Sequence, residues 1–164
     1  MRKPLPFTLL ILLGLAVDLV SKWLAFRALD PTEEYPVIPG VLVLEHAENH
    51  GAAFSMLSGH SVLLIAITSV AIAGIIWLYA STYKKAHPLA VAAMGLLLIG
   101  AIGNLVDRIL FGYVRDFIDF VPPIPIIGRW AVFNVADIAI TVGVILYALV
   151  ECFLAPKEEK ALAQ

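Results

Sequence analysis

The sequence is short of charge and of cysteine. Only 15% of its 164 residues are Asp, Glu, Lys or Arg, whereas a soluble domain carries about 25%. The single cysteine, Cys152, excludes an intramolecular disulfide and any metal site built on thiolates. Residues 30–60 contain no Lys or Arg, and the run from Ser61 to Tyr83 has no charge of either sign. A net charge of −2 gives no reason to expect nucleic acid. No phosphate-binding loop or dinucleotide fingerprint occurs. Ser21, Ser55, Ser58, Ser61 and Ser69 lack the G-x-S-x-G context of a hydrolase nucleophile. There is no low-complexity tract, and no internal repeat of the inverted kind found in transporters.

What is present is apolar. The chain is 61% hydrophobic, with a mean hydropathy of +0.93. It reads as a single integral membrane domain over 1–164, an all-α membrane protein of four transmembrane helices. The helices are expected at about 5–28, 61–83, 88–110 and 130–154, each long enough for the ~20 residues of a helical span. Arg2 and Lys3 before the apolar stretch Leu5 to Val17 imitate a secretory signal. No convincing small-residue cleavage site follows, and Asp18, Ser21 and Lys22 interrupt the run, so an uncleaved first helix is expected.

Charge alternates between the connections. Arg2, Lys3, Lys84, Lys85, Lys157 and Lys160 fall on one side; Asp30, Glu33, Glu34, Glu45 and Glu48 fall on the other. By the positive-inside rule both termini are cytoplasmic, and segments of about 30–60 and 112–129 are extracytoplasmic. Arg115 and Arg129 run against this count without reversing it. Between helices one and two, Tyr35 to Glu45 mixes β-branched residues with turn formers, which predicts a small β-containing segment on the membrane surface. The Pro-rich stretch 121–129 cannot be regular helix and reads as a flap or lip.

Two aspartates stand out: Asp116 just beyond helix three, and Asp137 in helix four. A carboxylate at bilayer depth costs roughly 2.5–3.5 kcal/mol on the mildest scale and normally marks a function. At 1.5 Å per residue, Asp18 lies roughly 20 Å up a ~30 Å core, Asn104 roughly 24 Å up, and Asp137 roughly 10 Å down from the other face. The three helices thus place polar residues in one layer, the outer third of the bilayer. A carboxylate pair there fits acid–base chemistry on a bound water.

Each motif also has a plainer reading. Asp18 and Lys22 share a helix face. Either they form an intrahelical pair with Lys22 snorkelling to the interface, or Asp18 braces backbone of the outer segment and Lys22 meets lipid phosphate. Asn49-His50-Gly51-Ala-Ala-Phe54, an amide followed by small residues, suits close backbone approach to a ligand; it also fits a loop entering an amphipathic segment. Asn104, Asp107 and Arg108 share a face. The alternative there is a packing helix with Gly100 and Gly103, whose Asp107–Arg108 end is a solvated cap. Asp116 beside Arg115 and Asp119 could be an interfacial charged turn, and Asp137 a structural carboxylate paired with Arg108, with Asn134 on its own face. His46 and His50 are four apart, but the Glu that a zinc-protease helix needs after the first His is replaced by Ala47, so no metal is expected. Cys152 reads as packing.

Five segments in order, Asp18-Leu-Val-Ser-Lys22, Asn49-His-Gly-Ala-Ala-Phe54, Gly103-Asn-Leu-Val-Asp-Arg108, Val114-Arg-Asp116-Phe-Ile118 and Phe133-Asn134-Val-Ala-Asp137, resemble the motif set of the bacterial lipoprotein signal peptidases, the signal peptidase II family. The resemblance covers about residues 14 to 143, and no polar motif position departs from it. Each motif alone is weak; five in order are specific. The resemblance implies an intramembrane aspartic endopeptidase of the bacterial cytoplasmic (inner) membrane, with its active site toward the extracytoplasmic side. It would remove the signal peptide from diacylglyceryl-modified prolipoproteins, cutting just before the lipidated cysteine. It implies Asp116 and Asp137 as the catalytic pair. Asn49, Gly51, Asn104, Arg108 and Asn134 would bind substrate or position the pair, with Asp18 and Lys22 in support. It implies no cofactor, membrane lipids and cyclic-peptide inhibitors as further partners, a monomer, and 121–129 as a family-variable insertion. The competing readings are a small proton-coupled transporter or channel subunit, which would also want intramembrane Asp, Asn and Arg, and a non-catalytic membrane scaffold.

Overall fold

Small residues recur along the third apolar run, and small residues let helices in a membrane approach closely. That run becomes the hub of the molecule. The computed structural model describes residues 5–51, 59–121 and 131–154. The elements in order are α1 (Leu5–Ala28), β1 (Tyr35–Ile38), β2 (Leu42–Asn49), α2 (Ser61–Thr82), α3 (Pro88–Phe111), β3 (Val114–Phe120) and α4 (Val135–Leu149), which widens into a π-helical turn over Val150–Leu154. Four helices among the described residues are long and apolar enough to cross a membrane. α1, α2 and α4 each pack on α3. Its Ala90, Ala93, Met94, Leu98 and Ile99 form the buried core, while Leu13, Val17, Val62, Val70, Trp77 and Phe153 face outward. Apolar residues turned outward are what lipid requires of a spanning helix.

Glycines set how near the helices come. A Cβ on Gly100 would collide with the Ala136 carbonyl oxygen and Ile140, and one on Gly103 with the Asp18 carboxylate. These two positions let α4 and the buried Asp18 of α1 lie directly against α3. α3 itself begins with His87 as N-cap and Pro88 in the first turn, where proline's missing N–H costs nothing. It ends at Gly112, whose φ of +83° and N–H bond to the Arg108 carbonyl form a left-handed cap. The chain turns there and runs back as β3.

The β segment expected between helices one and two exists as the β1–β2 hairpin, turning through Gly40 at φ +72°. It is part of a larger unit. β3, contributed after α3, pairs antiparallel with β2 in a three-stranded sheet of order β1-β2-β3. Nothing in the local pattern of Val114–Phe120 announced this strand, because its pairing is with residues about seventy positions away. The fourth helix starts at Val135 and not at about 130: Ala131 to Asn134 are not helical. Phe133 instead bridges to Ile118 of β3, its N–H donating to the Ile118 carbonyl at 2.9 Å. Most of the flap expected at 121–129, and Ala52 to Phe54 of the second motif, lie outside the described residues.

Candidate active site

The sheet brings Asp116 to the bundle. In the β2–β3 register Ala47 faces Asp116 and Asn49 faces Val114. Asn49 Nδ2 donates to Asp116 Oδ2 at 2.9 Å. Asp116 is 2% exposed, so it is not part of a solvated interfacial turn. Burial, and after it the charge of Asp137, pushes its carboxyl up to about 7, while hydrogen bonds from Asn49 and Asn134 pull it down.

The start of α4 brings the second carboxylate. Asn134 is the N-cap, its Oδ1 accepting from Asp137 N, and Asp137 Oδ2 accepts in return from Asn134 N at 3.1 Å. This is a reciprocal capping box, with Asp137 at the third helical position. Asp137 therefore lies in the first turn and not seven residues in, because the chain ahead of it is held by β3. The same Asn134 donates through Nδ2 to Asp116 Oδ1 at 2.6 Å. One residue thus touches both carboxylates. Asn104 on α3 completes the arrangement, its Nδ2 donating to Asp137 Oδ1 at 2.8 Å.

Behind these groups lies a buried ionic cluster. Lys22 Nζ meets Asp18 Oδ2 at 2.9 Å, Asn104 Oδ1 at 3.0 Å and Asp107 Oδ2 at 3.4 Å. Asp18 Oδ1 accepts from Ala136 N at 2.8 Å. Asp107 also accepts from Arg115 through N, Nε and Nη2. Lys22, Asp18 and Asp107 have no side-chain exposure. Charges so far from water persist only when paired and hydrogen-bonded, and here two acids face two bases. The intrahelical Asp18–Lys22 pair is real. Two details differ from expectation: Lys22 neither snorkels nor meets lipid phosphate, and Asp18 braces the first turn of α4 and not the outer segment. The position of Asp18 follows from the opening that Gly103 leaves on α3. Nor is the Asp107–Arg108 end a solvated cap. Asp107 and Arg115 join the cluster beyond the residues expected from the sequence, where the one signal is that Asp107 is the first charge in the third apolar run.

Arg108 turns the other way. Its Nη2 donates to the Gly51 carbonyl at 2.8 Å and its Nη1 to the Asn104 carbonyl at 3.4 Å. It forms no ion pair with Asp137 among the described residues, so Asp137 is not tied up in a structural bridge. Gly51, buried, also donates its N–H to Asn49 Oδ1 at 3.0 Å. Asn49, Asn104, Arg108 and Asp137 line a cleft of about 560 Å³ whose other walls are largely apolar, including Ile67 and Ile75 of α2 and Ile140 of α4. The two histidines sit elsewhere: His46 packs on Phe26 with ring centres 3.8 Å apart, and His50 lies 3.4 Å from Glu48.

A multi-pass membrane protein with two carboxylates joined through one asparagine, one of them lining a largely apolar cleft, is the class that this fold and site define. The model of the family described as Signal peptidase (SPase) II matches residues 10–153. The chain belongs to that family and is a peptidase. The lipoprotein signal peptidase of Moorella thermoacetica is 41% identical over 143 residues, covering 87% of this chain and 89% of that one. The lipoprotein signal peptidase of Shouchella clausii is 39% identical over 138 residues, covering 84% and 87%. A bacterial membrane enzyme solved by the in meso method at 2.3 Å resolution superimposes with a TM-score of 0.81 at 29% identity, covering 94% of this chain and 91% of that one. The transporter alternative finds no support in these likenesses.

Proposed function

We propose that the protein is an aspartic endopeptidase that removes signal peptides from diacylglyceryl-modified prolipoproteins, cutting before the lipidated cysteine. The observation that carries this reading is Asn134, which donates to Asp116 through its side chain and to Asp137 through its backbone. Two carboxyls so close do not both ionise readily and share one proton. The ionised carboxylate takes a proton from water, and the resulting hydroxide attacks the scissile carbonyl carbon. The protonated carboxyl gives its proton to the carbonyl oxygen. Collapse of the tetrahedral intermediate returns that proton to the pair, and the amine leaves with a proton from the pair. Asn49, Asn104 and Asn134 hold the carboxyls in place. Arg108, through the Gly51 carbonyl, orders the backbone next to Asn49.

The cleft suits the substrate: apolar walls for a signal peptide within the bilayer, a polar head for the peptide bond. Lys84 and Lys85 between α2 and α3 support, by the positive-inside rule, a reading with both termini cytoplasmic and the site toward the extracytoplasmic side of a bacterial cytoplasmic membrane. The diacylglyceryl chains then remain in lipid. Cyclic peptides spanning the pair would inhibit, and a monomer suffices because one chain supplies both carboxyls.

The test is a gel-shift assay on a lipidated prolipoprotein and its unlipidated form. The unmutated protein should shorten only the lipidated form; Asp116→Asn and Asp137→Asn should leave it whole while melting as folded proteins. Substantial cleavage by both variants would refute the pairing.

A further inference from the structure

The Lys22 side chain has no exposure; its ammonium donates to Asp18 Oδ2 and Asn104 Oδ1 and forms an ion pair with Asp107 Oδ2 at 3.4 Å. It makes no hydrogen bond to Asp116 or Asp137, and only its charge reaches Asp116. Its contact with Asn104 nevertheless has a direct chemical consequence. An amide has one accepting and one donating end. With Oδ1 held by the ammonium at 3.0 Å, Nδ2 is turned toward Asp137 Oδ1 at 2.8 Å. Asn134 Nδ2 also approaches Asn104 Oδ1, but at 3.3 Å and while serving Asp116 at 2.6 Å. Of the two donors at Asn104 Oδ1, Lys22 is therefore the nearer and the one that carries a charge. The flipped amide would set its NH2 against an ammonium and its oxygen against the Asp137 carboxyl, two repulsions in place of two bonds.

We propose that Lys22 is a positioning residue for the peptidase centre: it fixes the orientation of the Asn104 amide and so aims the Asn104 donor at Asp137. This rests on the reading of Asp116 and Asp137 as the catalytic pair. It assigns the buried Asp18–Lys22 pair a second task beside holding α1 to α3 and α4. The two tasks can be separated. Charge balance requires only that the cluster stay neutral; orientation requires a donor at Asn104 Oδ1.

The experiment uses Lys22→Met alone and together with Asp18→Asn, in the full chain, with cleavage of a lipidated prolipoprotein and thermal melting read side by side. Lys22→Met leaves two buried acids against one base and melts lower. The double variant removes one acid and one base together, and its asparagine still accepts the Ala136 N–H, so its melting temperature recovers. Its kcat stays down about 100-fold with KM within about threefold, the size of effect that a misaimed group produces. A kcat that recovers together with the melting temperature would overturn the proposal, since charge balance would then be the whole role. A second arm introduces Lys22→Met where Asn104→Ala is already present. Little further loss of kcat is expected, less than about threefold, because the contact from Lys22 runs through Asn104 and only the small through-space effect of its charge on Asp116 remains; losses that multiply would overturn it. A double variant that does not fold would make the pair a purely structural element and overturn it too. If the unmutated protein cuts and the double variant cuts as fast, the inference alone fails; if the unmutated protein does not cut, the reading of the centre fails with it.

Discussion

Asparagine at position 116 should change how stability depends on pH, independently of turnover. Asp116 sits at about 7 in the folded protein, against 3.8 for the free carboxyl. Its folded form therefore binds the proton more tightly than the unfolded chain does. The contribution of this group is whole below about pH 4 and is lost as pH rises through about 7, where the buried carboxyl must ionise beside Asp137. At about 1.4 kcal/mol per pH unit the full loss is at most about 4 kcal/mol. Asp116→Asn never ionises and escapes this loss. It gives up one accepting oxygen, since its NH2 must face either Asn49 or Asn134, at about 1 kcal/mol at every pH. Near pH 4 the variant should melt a few degrees below the unmutated protein. Near pH 8 it should melt above it, by up to about 3 kcal/mol, or several degrees for a chain of this size. Melting curves in detergent across pH 4 to 8 decide it. A difference between the two proteins that does not change with pH would refute the account of Asp116 as a carboxyl raised by burial and a neighbouring charge.

Gly103→Ala places a methyl against the Asp18 carboxylate and 3.3 Å from Ala136 Cβ. It should cost about 1–3 kcal/mol, seen as a lower melting temperature, and reduce cleavage by dislodging Asp18. Arg115→Met strips Asp107 of two of its hydrogen bonds. Breaking a buried pair in this way should cost about 3–5 kcal/mol; a melt unchanged from the parent would show that the bridge contributes nothing.

Two of the alternatives left open by the sequence are now resolved by contacts. Asp107 could be a cap or a buried partner, and Arg108 could pair with Asp137 or leave it available. Helical spacing places Asn104, Asp107 and Arg108 on a common face. It does not say how that face is rotated against its neighbours, nor which acceptor each side chain meets. Gly103 shows the difference in kind. In the sequence it is a small residue in an apolar run; in the folded protein it is the space occupied by the Asp18 carboxylate.

Hydropathy and charge determined the spans, because both are properties of a chain segment taken alone: twenty apolar residues fill a bilayer whatever they pack against. A constant rise per residue likewise brought Asp18 and Asn104 to one layer before any contact was known; the same count set Asp137 too deep, because α4 begins at Val135 and not at about 130. The order of the five motifs indicated the family. Tertiary structure alone decided how the layer is wired. The third strand depends on pairing between residues 42–49 and 114–120. The late start of α4 depends on Phe133 bridging to Ile118. The inward turn of Lys22 depends on the rotation of α1 against α3. Each of these joins residues far apart in the chain, with bonds that form only at a few ångströms and a narrow range of angles, and no local pattern carries that information.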